Sequence, residues 1–352
     1  MNHRKSRLQE LDALRGLAAL SVLLFHFTTN QNAKKLGWQF SYGVTGVDIF
    51  FMISGFVIFL TIHKIKRSQD FIVFRFARLY PAYWACVLLT TLFIFIYEPL
   101  NFNLVQLLAN LTMFPAYFGI ENIDGSYWTL LIELTFYLWI LIIYASRNLK
   151  NITSIGFFFL VGIVLFHWLG PYQGFYQYAV LKVQLLNHFP LFFSGILFYR
   201  LKFKSFSFRN LAMIFLSIIA SFYLHNKGGR ALETISQTEH NLIIVFYHII
   251  FALFIYGKLK FLIRPSLVFL GKISYSLYLL HQYIGLRLIK TLNETLHFNI
   301  YFAIGLTILT CIGMAYVVTT GIEAPAIKYI RKLYKNKRNE ETQSTAELIT
   351  QT

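Results

Sequence analysis

Residues 11–27 read LDALRGLAALSVLLFHF, an apolar helix-forming run broken only by Asp12, Arg15, Ser21 and His26. Eleven positions separate Arg15 from His26. At about 100° per residue that is ~20° beyond three full turns, so both side chains share one stripe, ~16 Å apart along the axis. An ionisable group inside a lipid-spanning helix is costly and marks function by default. Two on one stripe point to a polar slot through the protein, with different chemistry at each depth.

The rest of the chain agrees with a membrane reading. Of 352 residues, 57% are hydrophobic and 13% charged, against ~25% charged in a soluble domain. The expected class is all-α, a polytopic bundle of ten spans near 11–29, 43–63, 82–98, 127–145, 152–169, 185–200, 208–224, 241–257, 267–289 and 299–320. Residues 1–330 form one transmembrane domain, and 331–352 a basic, then polar, disordered cytoplasmic tail, with Lys328 to Arg338 lying along the membrane surface. No small-x-small cleavage site follows the first span, which reads as a retained helix and not as a signal peptide. Cys86 and Cys311 lie in apolar runs and read as packing residues.

The net charge of +17 suggests nucleic acid only until its distribution is seen. With the N-terminus inside, the outward segments hold only Lys34, Lys35, Lys182, Lys227, Arg230, Arg287 and Lys290. Arg15 and Lys272 lie in or beside spans, and every other Lys and Arg falls on the inner side. That is the positive-inside pattern, with both termini cytoplasmic in a multi-pass membrane protein. The basic charge therefore meets lipid headgroups, not nucleic acid.

This topology sorts the polar residues by depth. His26, Asp48 and Glu133 fall in the outer third, and His281 reaches the outer half from the inner side. Arg15 lies near the inner end, level with Arg75 and Arg78, which are read as part of a basic loop over 64–81. A carboxylate beside a histidine fixes its tautomer and raises its basicity, as a general base needs. Clustered arginines grip phosphate. A substrate with phosphates at one end and a reactive group on a long arm would span both layers, and acyl-coenzyme A has that shape.

Plainer readings stand beside these. Arg15 can pair with Asp12 or reach inner headgroups. His26 can bond a backbone carbonyl. Asp48 and Glu133 can be structural, and Arg75 and Arg78 are expected in any inner loop. His63, His167, His188 and His248 read as packing residues. No His/Cys spacing suits zinc, and no metal is expected. Asn-x-Thr triplets at Asn110, Asn151 and Asn293 carry no weight. A proton-coupled transporter would predict inverted repeats and paired broken helices, which the sequence does not display. A non-catalytic partner in glycan export would not need the Arg15–His26 stripe.

Five segments resemble the acyltransferase-3 family of integral membrane O-acyltransferases, over roughly 8–330. They are Arg15 through His26, Gly46-Val-Asp48 through Ser54-Gly55, Arg75-Phe-Ala-Arg78-Leu-Tyr-Pro81, Tyr127-Trp128 through Glu133, and Ser274-Tyr275 through Tyr278 and His281, with Glu323-x-Pro325 following. Thr129 departs from the commoner serine, and Phe74 and Phe76 flank Arg75 where members often carry a further arginine. The resemblance implies transfer of an acyl group, usually acetyl, from cytoplasmic acyl-CoA to a hydroxyl of a surface or exported polysaccharide or its lipid-linked precursor. It carries the catalytic histidine to His26 and the signature arginine to Arg15. The expected arrangement has coenzyme A phosphates on Arg75 and Arg78, the arm passing Arg15, and His26 oriented by Asp48 or Glu133. Trp128, Ser274 and Tyr275 are the oxyanion candidates, and Tyr278 and His281 complete the substrate-binding set. Direct attack and a route through acylated His26 both fit. The sugar, the acyl length and the oligomeric state are not legible.

Overall fold

The computed structural model describes residues 8–170, 173–204, 206–227 and 234–350. The basic residues Arg4, Lys5 and Arg7 and the loop residue Arg230 lie outside these. Helix α1 (Gln9–Thr28) is followed by a short α2 (Asn30–Leu36) and by α3 (Gly46–Ile62). Next come α4 (Ser68–Tyr97), the short α5 (Leu104–Leu111), α6 (Trp128–Ala145) and α7 (Ile152–Leu169). Helices α8 (Gln173–Lys182), α9 (Leu185–Phe203), α10 (Phe208–His225) and α11 (Gln237–Ile255) follow. The last are α12 (Pro265–Leu280), α13 (Tyr283–Lys290), α14 (Ile300–Val318) and α15 (Ala324–Thr350). Among the described residues there is no strand.

Among the described residues, eight helices are long and apolar enough to cross a membrane, and the pair α8–α9, bent by 46°, makes a ninth. The shorter apolar α12, with α13 beyond a break at His281 and Gln282, occupies the place of a tenth. The chain is a multi-pass membrane protein. Helices α9 and α12 are buried nearly all round, as central helices should be. Helices α7 and α11 present Phe158, Leu165, Leu242 and Phe246 outward, where lipid replaces protein as their solvent. Cys86 and Cys311 are buried, free thiols within helices.

Close helix contact fixes the centre. Gly16 and Gly271 let α1 and α12 touch backbone to backbone; a Cβ on Gly16 would come 2.7 Å from the Gly271 amide nitrogen. Small residues permit such approach where no hydrophobic drive exists between helices. The two helices run parallel, so ten residues further on His26 of α1 meets His281 of α12, with ring centroids 5.1 Å apart.

Helix α4 corrects the expected loop. It runs unbroken from Ser68 through Pro81 to Tyr97, 30 residues or ~45 Å, longer than a ~30 Å hydrocarbon core. Proline costs one backbone bond, a loss that packed neighbours can absorb. Its first turns pair antiparallel with α15. Tyr334 donates to Asp70 at 2.9 Å, Arg331 lies 4.9 Å from the Phe74 ring centre, and Arg78 pairs with Glu323. Glu323 closes a π-helical turn, Thr319–Glu323, between α14 and α15. The tail expected to be disordered beyond residue 330 is helical to Thr350. It continues the helix from α14 instead of turning along the surface, helped by a run of good helix formers.

The 99–126 connection folds back over α4. Asn103 caps α5, accepting from the amides of Val105 and Gln106 at 2.9 and 3.2 Å. Asn110 is fully buried and ties Glu121 and Ile123 together.

Candidate active site

Two chambers open between these helices. The first lies toward the end of the bundle that carries Arg75 and Arg78, here the basic end. It is a cavity of about 110 Å³ lined by Arg15, Arg75, Arg78, Ser54, Glu133, Tyr137, Ser274, Tyr275 and Tyr278, among others. Helix spacing assembles it, since Arg75 and Arg78 are one turn apart on α4, and Glu133 and Tyr137 one turn apart on α6. Glu133 accepts from Ser54 at 3.0 Å and from Tyr137. Arg75 donates to Thr61 at 2.6 Å and lies 5.1 Å from the Tyr137 ring centre. Arg78 pairs with Glu323 and lies 5.4 Å from the Tyr275 ring centre. Among the described residues no carboxylate lies within ion-pair distance of Arg15. Its guanidinium is the one in this chamber with full capacity for an incoming anion.

The second chamber, toward the far end, has about 430 Å³ and is lined by His26, Thr29, Asn30, Gln39, Trp128, Tyr278 and Gln282, among others. A further space of about 360 Å³ adjoins it at His26, Thr29 and Asn30 and carries Lys35, Arg287 and Lys290. There Lys35 pairs with Glu294 at 2.9 Å, and Arg287 with Glu98.

Val47 and Tyr278 line both chambers and form the partition between them. The Tyr278 hydroxyl accepts from Thr129 at 3.0 Å and donates to the Ser126 carbonyl at 3.1 Å. Arg15 and His26 therefore do face one polar path, as their stripe requires, but a phenol divides it.

The carboxylates are not where depth counting put them. A Cβ on Gly46 would touch Ala18 and Val22, so α3 begins level with the middle of α1. The chain between α2 and α3 dips into the bundle before α3 starts. Asp48 consequently lies one to two turns below His26 and faces His240, with 3.5 Å between Oδ2 and Nε2. Glu133 belongs to the arginine chamber. Neither carboxylate orients His26.

The ring beside His26 is that of His281, with centroids 5.1 Å apart. Its Nδ1 lies 2.7 Å from the Tyr278 carbonyl, which can only accept, so Nδ1 carries the proton. The other nitrogen, Nε2, is then a lone-pair acceptor; it is buried and has no hydrogen-bond partner. The neighbouring His26 ring is the nearest imidazole to complete it. His281 sits at the break between α12 and α13, and the break is held from below. Asp124 accepts from the Tyr283 amide at 2.8 Å and from the Ser126 amide at 2.8 Å. Burial pushes the Asp124 carboxyl above its usual range, while the hydrogen bonds from Ser126 and Tyr283 pull it back.

Two oxyanion candidates are already committed. Ser274 donates to the Gly271 carbonyl at 3.0 Å, and Tyr275 to the Leu79 carbonyl at 3.0 Å. Trp128 lines the far chamber. His248 is a packing residue bonded to Ser194 and the Ile244 carbonyl. Sequence reasoning passed over His225, His240 and Asp124, because span edges and loops carry no periodic signal, and it gave Glu323 no role.

A family model described as an acyltransferase domain matches residues 8–319. A protein of Acidianus two-tailed virus, named as an acetyltransferase (ORF330), is 26% identical over 286 residues, 76% of this chain and 80% of that one. The exopolysaccharide production protein ExoZ of Rhizobium meliloti is 31% identical over 114 residues, 32% of this chain and 33% of its own. Nodulation protein 10 of Rhizobium leguminosarum bv. viciae is 27% identical over 164 residues, 39% and 44% of the two chains. No solved structure matches.

Proposed function

Because the chain belongs to the acyltransferase family whose model spans residues 8–319, and is therefore a membrane-bound O-acyltransferase, we propose that it moves an acyl group, acetyl first of all, from acyl-CoA to a hydroxyl of a surface or exported polysaccharide or its lipid-linked precursor. The observation that carries this reading is the meeting of a three-arginine chamber with a histidine chamber at one phenol partition. The relative named for exopolysaccharide production supports a carbohydrate acceptor. The excess of basic residues at the Arg75 end supports a cytoplasmic donor side, with both termini cytoplasmic.

In this mechanism the phosphates of coenzyme A bind at the basic end, and Arg15 is the leading anchor. Arg78 serves alongside it while sharing its charge with Glu323, and Arg75 shares its own with Thr61 and the Tyr137 ring. The pantetheine arm extends along α1 and displaces the Tyr278 ring to bring the thioester to His26. His26 takes the proton from the acceptor hydroxyl as its oxygen attacks the thioester carbonyl. The C–S bond breaks, and the proton passes from His26 to the departing thiolate. His281, accepting from one His26 nitrogen, leaves the other as the base.

Arg15→Gln is expected to raise the donor KM about tenfold to a hundredfold, the loss of one charge-assisted contact of ~1.5–3 kcal/mol. An unchanged donor KM rejects Arg15 as anchor. His281→Ala is expected to lower kcat by about 10–10²-fold, the lower part of a general base's contribution, with donor KM unmoved. His281→Gln, which keeps an acceptor at that position, should recover part of the loss. Equal rates in both variants would place His281 outside the mechanism. The direct test of the whole reading incubates purified protein with acyl-labelled acetyl-CoA and membrane glycans. Label transfer with thiol release supports it; release of neither label nor thiol refutes it.

A further inference from the structure

Another, smaller cavity adjoins the far chamber, and nothing in the mechanism uses it. It holds about 40 Å³ and is lined by Asp48, Asn187, Ser221, His225 and His240, with Trp128 at its rim. Val44, Val47 and Trp128 also line the His26 chamber, so the two spaces share a wall. Asp48, Asn187, Ser221, His225 and His240 come from α3, α9, α10 and α11 and are more than nine-tenths buried, while His188 and Trp128, which also line the space, are partly buried. The imidazoles of His225 and His240 stack with centroids 3.8 Å apart at 12°.

What marks the cavity is unmet hydrogen-bonding capacity. His240 Nδ1, His225 Nε2 and Asn187 Oδ1 are all buried without a partner. Asp48 Oδ2 lies 3.5 Å from Nε2 of His240; a neutral ring with its proton on that nitrogen presents Nδ1 as an acceptor. Buried polar atoms are normally satisfied, and an unsatisfied one costs ~1–3 kcal/mol. Three in one small space call for a ligand bearing hydroxyl donors. The volume suits two or three water-sized groups, such as a hydroxymethyl arm or a pair of ring hydroxyls, and no whole sugar. The cavity's one carboxylate is already turned to His240, so the complement is neutral.

We propose that this cavity is the specificity subsite for a neutral hexose of the acceptor, taking one hydroxyl-bearing arm while the ring rests against Trp128 in the His26 chamber. The assignment rests on the carbohydrate-acceptor reading above. It places the hydroxyl to be acylated on the His26 side of Trp128 and the recognised hydroxyl on the Asp48 side. Sugars lacking a hydroxyl there leave the buried acceptors unpaired and are rejected, the asymmetry that makes polar readout selective.

The test uses the full-length protein in lipid nanodiscs, free of sugar detergents. Saturation-transfer NMR is run with methyl glycosides of glucose, galactose and mannose, with their 6-deoxy forms, and with methyl glucosaminide. At least one neutral methyl hexoside is expected to bind the wild-type protein. Ser221→Leu, which fills the cavity, should weaken that binding at least tenfold. Asn187→Leu, close in size and without polar atoms, should do the same, and serves where Ser221→Leu does not accumulate. Absence of neutral hexoside binding overturns the proposal. So does preference for the cationic glucosaminide, or equal affinity in wild type and both variants. Hexoside binding with no turnover of acetyl-CoA would remove the donor assignment and leave this subsite standing. Glycan acylation with affinities unmoved by both variants would remove the subsite alone.

Discussion

His26→Ala is expected to abolish acyl transfer while the protein still inserts and folds. A general base contributes about 10²–10⁴-fold, so residual transfer should sit near the background. Folding should survive because His26 is only half-buried and lines two open spaces. Its ring packs edge-on against Phe25 at 4.9 Å and beside His281. The measurement is label transfer from acetyl-CoA to glycan, with thermal unfolding of the purified variant run in parallel. Transfer at the wild-type rate would remove His26 from the chemistry. Loss of transfer together with loss of the unfolding transition would make it structural instead.

Gly271→Val is expected to prevent recovery of folded protein. A side chain there would enter the backbone of Asp12 on α1, and the Gly16 backbone faces the same crossing. Overpacking commonly costs ~1–3 kcal/mol where side chains can shift. Here the obstacle is main chain on both sides, so α1 and α12 must part. That separation disperses the whole constellation, since one helix carries Arg15 and His26 and the other Tyr275 and Tyr278, with His281 at its end. Gly162→Ala on α7 is the matched control, because nothing lies within 4 Å of a Cβ there. Size-exclusion profiles of the two variants decide the matter. A monodisperse, active Gly271→Val protein would show that the crossing has slack the geometry denies.

Sequence alone anticipated an arginine layer and a histidine layer along α1, but not which carboxylates belong to each. Arg15 and His26 were legible because a helix turns at a fixed rate, and eleven residues place them on one stripe whatever surrounds them. Asp48 and Glu133 were misplaced because depth counting assumes that every span begins at the membrane face. The segment before α3 enters the bundle first, and no periodicity records that detour. Pro81 read as the end of a loop, yet α4 runs through it, since packing compensates one missing hydrogen bond more easily than it rebuilds a helix. The pairing of His26 with His281 joins residues 255 positions apart through the parallel register of two helices, with the Gly16–Gly271 crossing as its point of closest approach. His225 and His240 flank a connection with no helical repeat, so nothing in the sequence drew them to Asp48.

Turning the Tyr278 ring aside breaks the bonds to Thr129 and Ser126, a cost of about 1–3 kcal/mol. Left to itself the phenol yields only about one part in ten to one part in a hundred of the time. On the donor route proposed above, water from the far side then seldom reaches an activated ester waiting below. A catalyst guarded in this way would idle cheaply, consuming such a donor mainly when the donor's own arm holds the door.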